Sequence, residues 1–144
     1  MRLAAGVIES SFERFRDCGN GARECVVYLS GPLDDPELVD RVDHPRHNAS
    51  AHGYDVDGAW LTDYFPSLTS ERRKVRMQVH THPGSTFHSS RDDSLALVYV
   101  PGFFSLVIPN FALGKPGLDG SFLAVLDKTG RWRELDPMNE LEIG

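Results

Sequence analysis

"VRMQVHTHPGSTFHSSRDDS", Val75 to Ser94, decides how this chain is read. Its first half alternates: Val75, Met77 and Val79 are apolar, while Lys74, Arg76 and Gln78 are polar. A period of two signals a β-strand with one face turned to a core. His80 and His82 continue the alternation, so both imidazoles fall on one face and Thr81 points to the other. Pro83-Gly84 stops the strand. Two imidazoles two positions apart on one face can reach a single ion. Asp93 lies eleven residues past His82, and a turn can bring it back beside them. Two His and one carboxylate are a common protein set for catalytic zinc, with the fourth position left to water. Zinc lowers the pKa of that water to about 7.

Hydrolysis at such a metal also wants a carboxylate that is not a ligand, to carry the proton from water to the leaving amine. It further wants a donor for the oxyanion of the tetrahedral intermediate. Glu24, at the start of an early strand, suits the first role, and Ser90 the second. Each piece alone has a plainer reading. A His-x-His on a strand is more often two partly exposed side chains. Ser90-x-x-Asp93 also resembles a capping box at a helix start. Glu24 alone reads as a solvated strand-end acid. The whole set, in order, shifts the balance toward a metal site.

Outward from that stretch the chain alternates helices and strands. Ile8, Phe12 and Phe15 form an apolar stripe on a first helix, which "CGNGA" ends because Gly and Asn tolerate a left-handed turn. "RECVVYLSG" reads as a strand closed by Gly31-Pro32. Residues 32–45 read as irregular, with a short strand at 38–42. "HPRHNASAHGYDVDG" reads as a loop, leading into a helix over 59–68 with Trp60, Leu61, Tyr64 and Phe65 on one face. A short helix should begin near Ser90. "FFSLVIPNF" is an apolar strand run, and "SFLAVLDKTGRWREL" is two strands joined at Lys128-Thr129-Gly130. The tail, residues 137–144, is polar and expected to be loose. There is no internal repeat. About three helices and six strands in mixed order predict an α/β or α+β fold with a largely antiparallel sheet.

The 144 residues fit one domain, 1–144, and 40% hydrophobic residues supply a core. A net charge of -6, from 21 acidic against 15 basic side chains, argues against a nucleic-acid binder. "MRLAAGVIESSFERF" breaks into Glu9, Glu13 and Arg14 too early for a signal peptide, and no stretch approaches the roughly 20 apolar residues of a membrane span. A soluble, cytoplasmic protein is expected. Cys18 and Cys25 are too few for a disulfide framework and are expected to be reduced, with Cys25 packed in its strand.

The set Glu24, His80-Thr81-His82-Pro83 and Ser90-Arg91-Asp92-Asp93 resembles the JAMM, or MPN+, metallopeptidases, also called the JAB domain family. Their signature is an upstream Glu, then H-x-H-P, a gap, and S-x-x-D. The family's upstream strand runs E-x-x-G-x-L-x-G. Here Glu24, Leu29 and Gly31 match it, and Val27 stands where Gly is usual. Ser89/Asp92 offers a second frame, but the family spacing favours Ser90/Asp93. The resemblance covers most of the chain. It implies a mixed α/β JAB/MPN-type fold, a curved, largely antiparallel sheet flanked by helices around a cytidine-deaminase-like core.

The resemblance also implies one catalytic Zn2+ held by His80, His82 and Asp93, with Glu24 moving the proton and Ser90 donating to the oxyanion. Its usual substrate is a ubiquitin-like protein, cut after its C-terminal tail. Compact bacterial members accompany E1-like and E2-like partners, in some cases in antiphage defence. Within the enzyme class the alternative is a hydrolase acting on a sulfur-carrier protein. Outside it, the alternative is a catalytically silent MPN scaffold, which typically lacks the His pair or the Asp. His88 is read as a lip residue. His44, His47 and His52 are read as loop residues without a Cys nearby, His47 or His52 lining the cleft.

Overall fold

The computed structural model describes residues 1–86 and 97–144. Strands β1 (Arg2–Leu3), β2 (Val26–Pro32), β3 (Leu38–Val39), β4 (Arg41–Asp43), β5 (His47–Ser50), β6 (Gly53–Val56), β7 (Arg73–Thr81), β8 (Phe104–Ile108), β9 (Phe122–Leu126), β10 (Trp132–Leu135) and β11 (Glu142–Ile143) succeed one another in chain order. A central six-stranded sheet has the spatial order β10-β9-β8-β7-β2-β4. Every neighbouring pair in it is antiparallel except β7 and β8. The largely antiparallel mixed fold is therefore as expected.

Each face of the sheet buries an apolar layer. Helix α1 (Val7–Gly19) places Ile8, Phe12 and Phe15 against Val27, Leu29, Met77, Val79, Leu106 and Leu123. It stops at Asn20, whose left-handed backbone (φ 50°) lets its N–H donate to the Arg16 carbonyl at 3.0 Å. Helix α2 (Gly58–Ser70) starts where the Asp57 carboxylate accepts from the Ala59 N–H at 3.1 Å. It packs Tyr64 and Leu68 with Val26, Tyr28, Val75 and Phe103. The apolar face of α2 is narrower than expected. Trp60, Tyr64 and Leu68, spaced four apart, form the row that meets the sheet, with the Trp60 and Tyr64 rings stacked 4.4 Å apart. Phe65, a quarter turn round, stays 40% exposed.

The alternation in β7 is broken once. Leu29 faces Met77 and Ser30 faces Val75, so Arg76 is an extra residue in the ladder. Such a bulge reverses the facing of the residues on its far side. Val75 accordingly joins the α2 layer while Met77 and Val79 stay in the α1 layer. The bulge also turns the Arg76 guanidinium inward. It donates to the carbonyls of Leu38 (3.2 Å), Pro32 (2.6 Å) and Asp35 (3.2 Å). Gly31 lies beside it. A Cβ there would fall 1.8 Å from the Leu38 carbonyl oxygen and 3.2 Å from Arg76 Nε. This is the physical need for Gly31, and Gly31→Ala should lower unfolding free energy by about 3 kcal/mol, read from urea midpoints.

Two segments are more ordered than the sequence suggests. Residues 47–56, expected as loop, form the antiparallel β5–β6 hairpin. The expected short strand at 38–42 is two pieces, β3 and β4. The expected loose tail forms a helical turn at Pro137–Glu140, buries Leu141, and pairs β11 in parallel with β1, which also pairs with β3. Backbone pairing between short edge segments, rather than an apolar run, orders it. The helix expected near Ser90 lies outside the described residues. Among the described residues no helix is long and apolar enough to cross a membrane.

Candidate functional site

His80 sits in the middle of the sheet, opposite Val26 of β2 and Val107 of β8. It is wholly buried, and Tyr54 of β6 lays its ring against it, centroid to centroid 5.4 Å. His82 lies just past the end of β7. Its N–H donates to the Ile108 carbonyl at 2.9 Å and its own carbonyl accepts from Phe111 N–H at 2.8 Å. The expected alternation holds here, and the two imidazoles face one another with Nε2 atoms 3.2 Å apart.

Glu24 arrives from the neighbouring strand. Cys25 N–H donates to Thr81 Oγ1 at 2.9 Å and Thr81 N–H donates to the Cys25 carbonyl at 3.1 Å. These bonds extend the β2–β7 ladder by one step, so Glu24 falls level with His82. Glu24 N–H donates to the Ser50 carbonyl at 2.7 Å, which fixes the backbone. Its Oε1 lies 3.6 Å from His82 Nε2. The three expected side chains Glu24, His80 and His82 are thus together, all buried. Ser90 and Asp93, the second frame Ser89/Asp92, and His88 lie outside the described residues.

The pair fits a metal ion. Tetrahedral zinc with Zn–N near 2.0 Å separates two nitrogen ligands by about 3.3 Å, close to the spacing seen. Imidazoles that carry their proton on Nδ1 would bring two lone pairs to one point there, an arrangement suited to a cation.

No family model matches the chain. Over 60 residues it is 40% identical to Probable metalloprotease y4jG of Sinorhizobium fredii (strain NBRC 101917 / NGR234), a match taking in 40% of this chain. The chain spans 36% of the length of that relative. The fold is shared with protein DSY2949 of Desulfitobacterium hafniense (TM-score 0.71, 17% identity, 100% of this chain and 93% of that one). It is also shared with AF2198, a JAB1/MPN domain protein from Archaeoglobus fulgidus (TM-score 0.56, 17% identity, 100% of this chain and 97% of that one). The chain thus shares its fold with a JAB1/MPN domain protein.

The structure also holds two features that sequence reasoning missed. The first is a turn of three consecutive left-handed residues, Asn110, Phe111 and Ala112, with φ of 56°, 51° and 59°. Such residues cost of order 1–3 kcal/mol each and persist only where other contacts hold them. Here Asn110 N–H donates to the Gly84 carbonyl at 3.1 Å and Phe111 bonds His82. From the other side the Arg16 guanidinium donates to the carbonyls of Ala112 (3.2 Å) and Gly114 (2.6 Å). The turn forms a fixed rim beside His82. Its one sequence signal was Asn110, a residue that tolerates this backbone.

The second concerns the cysteines. Cys18 and Cys25 are joined by a disulfide, with Cα atoms 6.3 Å apart, contrary to the expectation of two reduced thiols. The left-handed end of α1 and the turn after it fold the chain back, which lays Cys18 over Cys25. His44 and His47, expected to be loop residues with no Cys nearby, face this pair. His52 is exposed at the β5–β6 turn, where its N–H donates to Ser50 Oγ at 3.3 Å.

Proposed function

We propose that this domain is a zinc-dependent metallopeptidase of the JAMM type, cutting the peptide or isopeptide bond at the end of the C-terminal tail of a ubiquitin-like protein. The observation that carries the reading is the convergence of His80 Nε2, His82 Nε2 and the Glu24 carboxylate in one buried place. His80, His82 and Asp93 would hold the ion. Zinc supplies Lewis-acid polarisation of a carbonyl and makes water acidic enough to attack at neutral pH. Glu24 Oε1 takes the proton from the attacking water and returns it to the departing amine. Ser90 donates a hydrogen bond to the developing oxyanion. Both imidazoles are held rigidly, His80 by the sheet and Tyr54, His82 by its two backbone bonds. Little reorganisation is then needed when substrate binds.

An extended tail ending in small residues suits a narrow approach to a site this deep. The segments 32–58 and 109–120 would flank the groove, and the tail would pair by backbone bonds with an exposed strand edge. E1-like and E2-like proteins of one modifier pathway are the partners this reading implies, in the cytoplasm and in an antiphage setting. The test uses zinc-loaded protein and a set of ubiquitin-like proteins carrying a reporter after the terminal Gly. Release of the reporter, lost with a chelator and restored by zinc, is expected. If folded, zinc-loaded protein leaves every fusion intact, the peptidase reading fails.

A further inference from the structure

We propose that Cys18, Cys25, His44 and His47 form a second metal site, a Cys2His2 zinc clip, when the Cys18–Cys25 disulfide is reduced. Their four ligand atoms lie within 4.8 Å of one another. His47 Nε2 is 3.1 Å from Cys18 Sγ and 3.6 Å from Cys25 Sγ, and His44 Nε2 is 3.6 Å from Cys25 Sγ. In tetrahedral zinc, with Zn–S about 2.3 Å and Zn–N about 2.0 Å, sulfur and nitrogen ligands stand roughly 3.6 Å apart. Three of the contacts are therefore already near ligand spacing. The two sulfurs must separate, to roughly 3.8 Å by the same geometry, and the remaining pairs, within 4.8 Å, must close to ligand spacing.

The tautomer points the same way. His47 Nδ1–H donates to the Pro45 carbonyl at 2.8 Å, leaving the lone pair of a neutral imidazole on Nε2, aimed at the sulfurs. A disulfide has no hydrogen to give that lone pair. A metal between thiolates and imidazoles uses it. Cys25 is fully buried and Cys18, His44 and His47 are half-buried, so the site is closed enough to be structural and open enough to load.

The chemistry balances. A phosphine reductant takes up the oxygen of one water as it splits the S–S bond, giving two thiols and a phosphine oxide. Zn2+ then replaces the two thiol protons, which leave to solvent, and the two neutral imidazoles complete four ligands. The clip would tie the end of α1, the start of β2 and the segment entering β5. Cys25 adjoins Glu24, so it would brace the flank of that residue.

The test needs no catalysis. Metal-free, tag-free protein is reduced with a phosphine and titrated with Co2+. The His80, His82 and Asp93 set contains no sulfur, so a thiolate-to-cobalt charge-transfer band reports the clip alone. The expected result is a band that saturates within two equivalents, one for each site, bleaches with Zn2+, and is missing from oxidised protein and from C18S/C25S. His44→Ala with His47→Ala should weaken cobalt binding at this band by at least about 100-fold. Reduced, folded protein without the band would overturn the proposal, as would a band of unchanged strength and affinity in the double His variant. If reduction unfolds the chain, zinc must restore its circular dichroism; failure to do so also overturns it.

Discussion

On the proposed function, Glu24→Gln should lower kcat for tail hydrolysis by about 10²–10⁴-fold while the chain stays folded and still binds zinc. That loss corresponds to about 3–5 kcal/mol in the barrier. Gln has the same size, and the backbone bond from residue 24 to the Ser50 carbonyl does not depend on the side chain. The proton acceptor facing the imidazole pair is the part that disappears. KM should change little, because in the proposed reading the tail would be held along its backbone and not by this group. Steady-state kinetics with metal analysis of the same sample make the check. A Gln variant that cuts at the parent rate would remove Glu24 from the chemistry.

His80→Ala has the other large effect. It takes one nitrogen from the pair and should abolish both zinc retention and measurable hydrolysis. Binding linkage provides a reading independent of activity. For oxidised protein, zinc at 100 times its Kd raises unfolding free energy by about 2.7 kcal/mol if bound only by the folded state. The oxidised parent should show that gain in thermal melts and the variant should show none. Keeping the Cys18–Cys25 disulfide intact confines the measurement to the His80/His82 site. Because His80 is wholly buried, the variant also loses packing against Tyr54, and its metal-free stability must be measured alongside. A zinc gain equal to the parent's would show that the ion binds elsewhere.

Much of the fold and half of the site are legible in the sequence because they depend on local rules. The alternation through Val79, His80 and His82 puts two imidazoles on one face, and the ladder keeps them there. Ile8, Phe12 and Phe15 announce the buried stripe of α1, and Asn20 its end. The failures are where distant groups decide. Strand β5 is His47-Asn48-Ala49-Ser50, which carries weak strand preference; the order of the β5–β6 hairpin comes from cross-strand bonds and from Tyr54 packing on His80. The Arg76 bulge is set by carbonyls at Pro32, Asp35 and Leu38, which periodicity within β7 cannot reveal. The Cys/His group draws ligands from a helix, a strand and an irregular segment, so no spacing motif marks it. Ser90 and Asp93 rest on the motif alone and lie outside the described residues.

The hydrogen bond that sets Glu24 level with His82 joins residues 56 positions apart. The β5–β6 hairpin and all of α2 belong to the loop it closes. Closing so long a loop costs entropy before any contact repays it, and topologies of this kind fold slowly for their size. His82 is in turn fixed from β8, further along the chain. During synthesis the pocket cannot assemble until residue 108 has left the ribosome. Any activity that depends on Glu24, His80 and His82 therefore stays off until the sheet around them has closed.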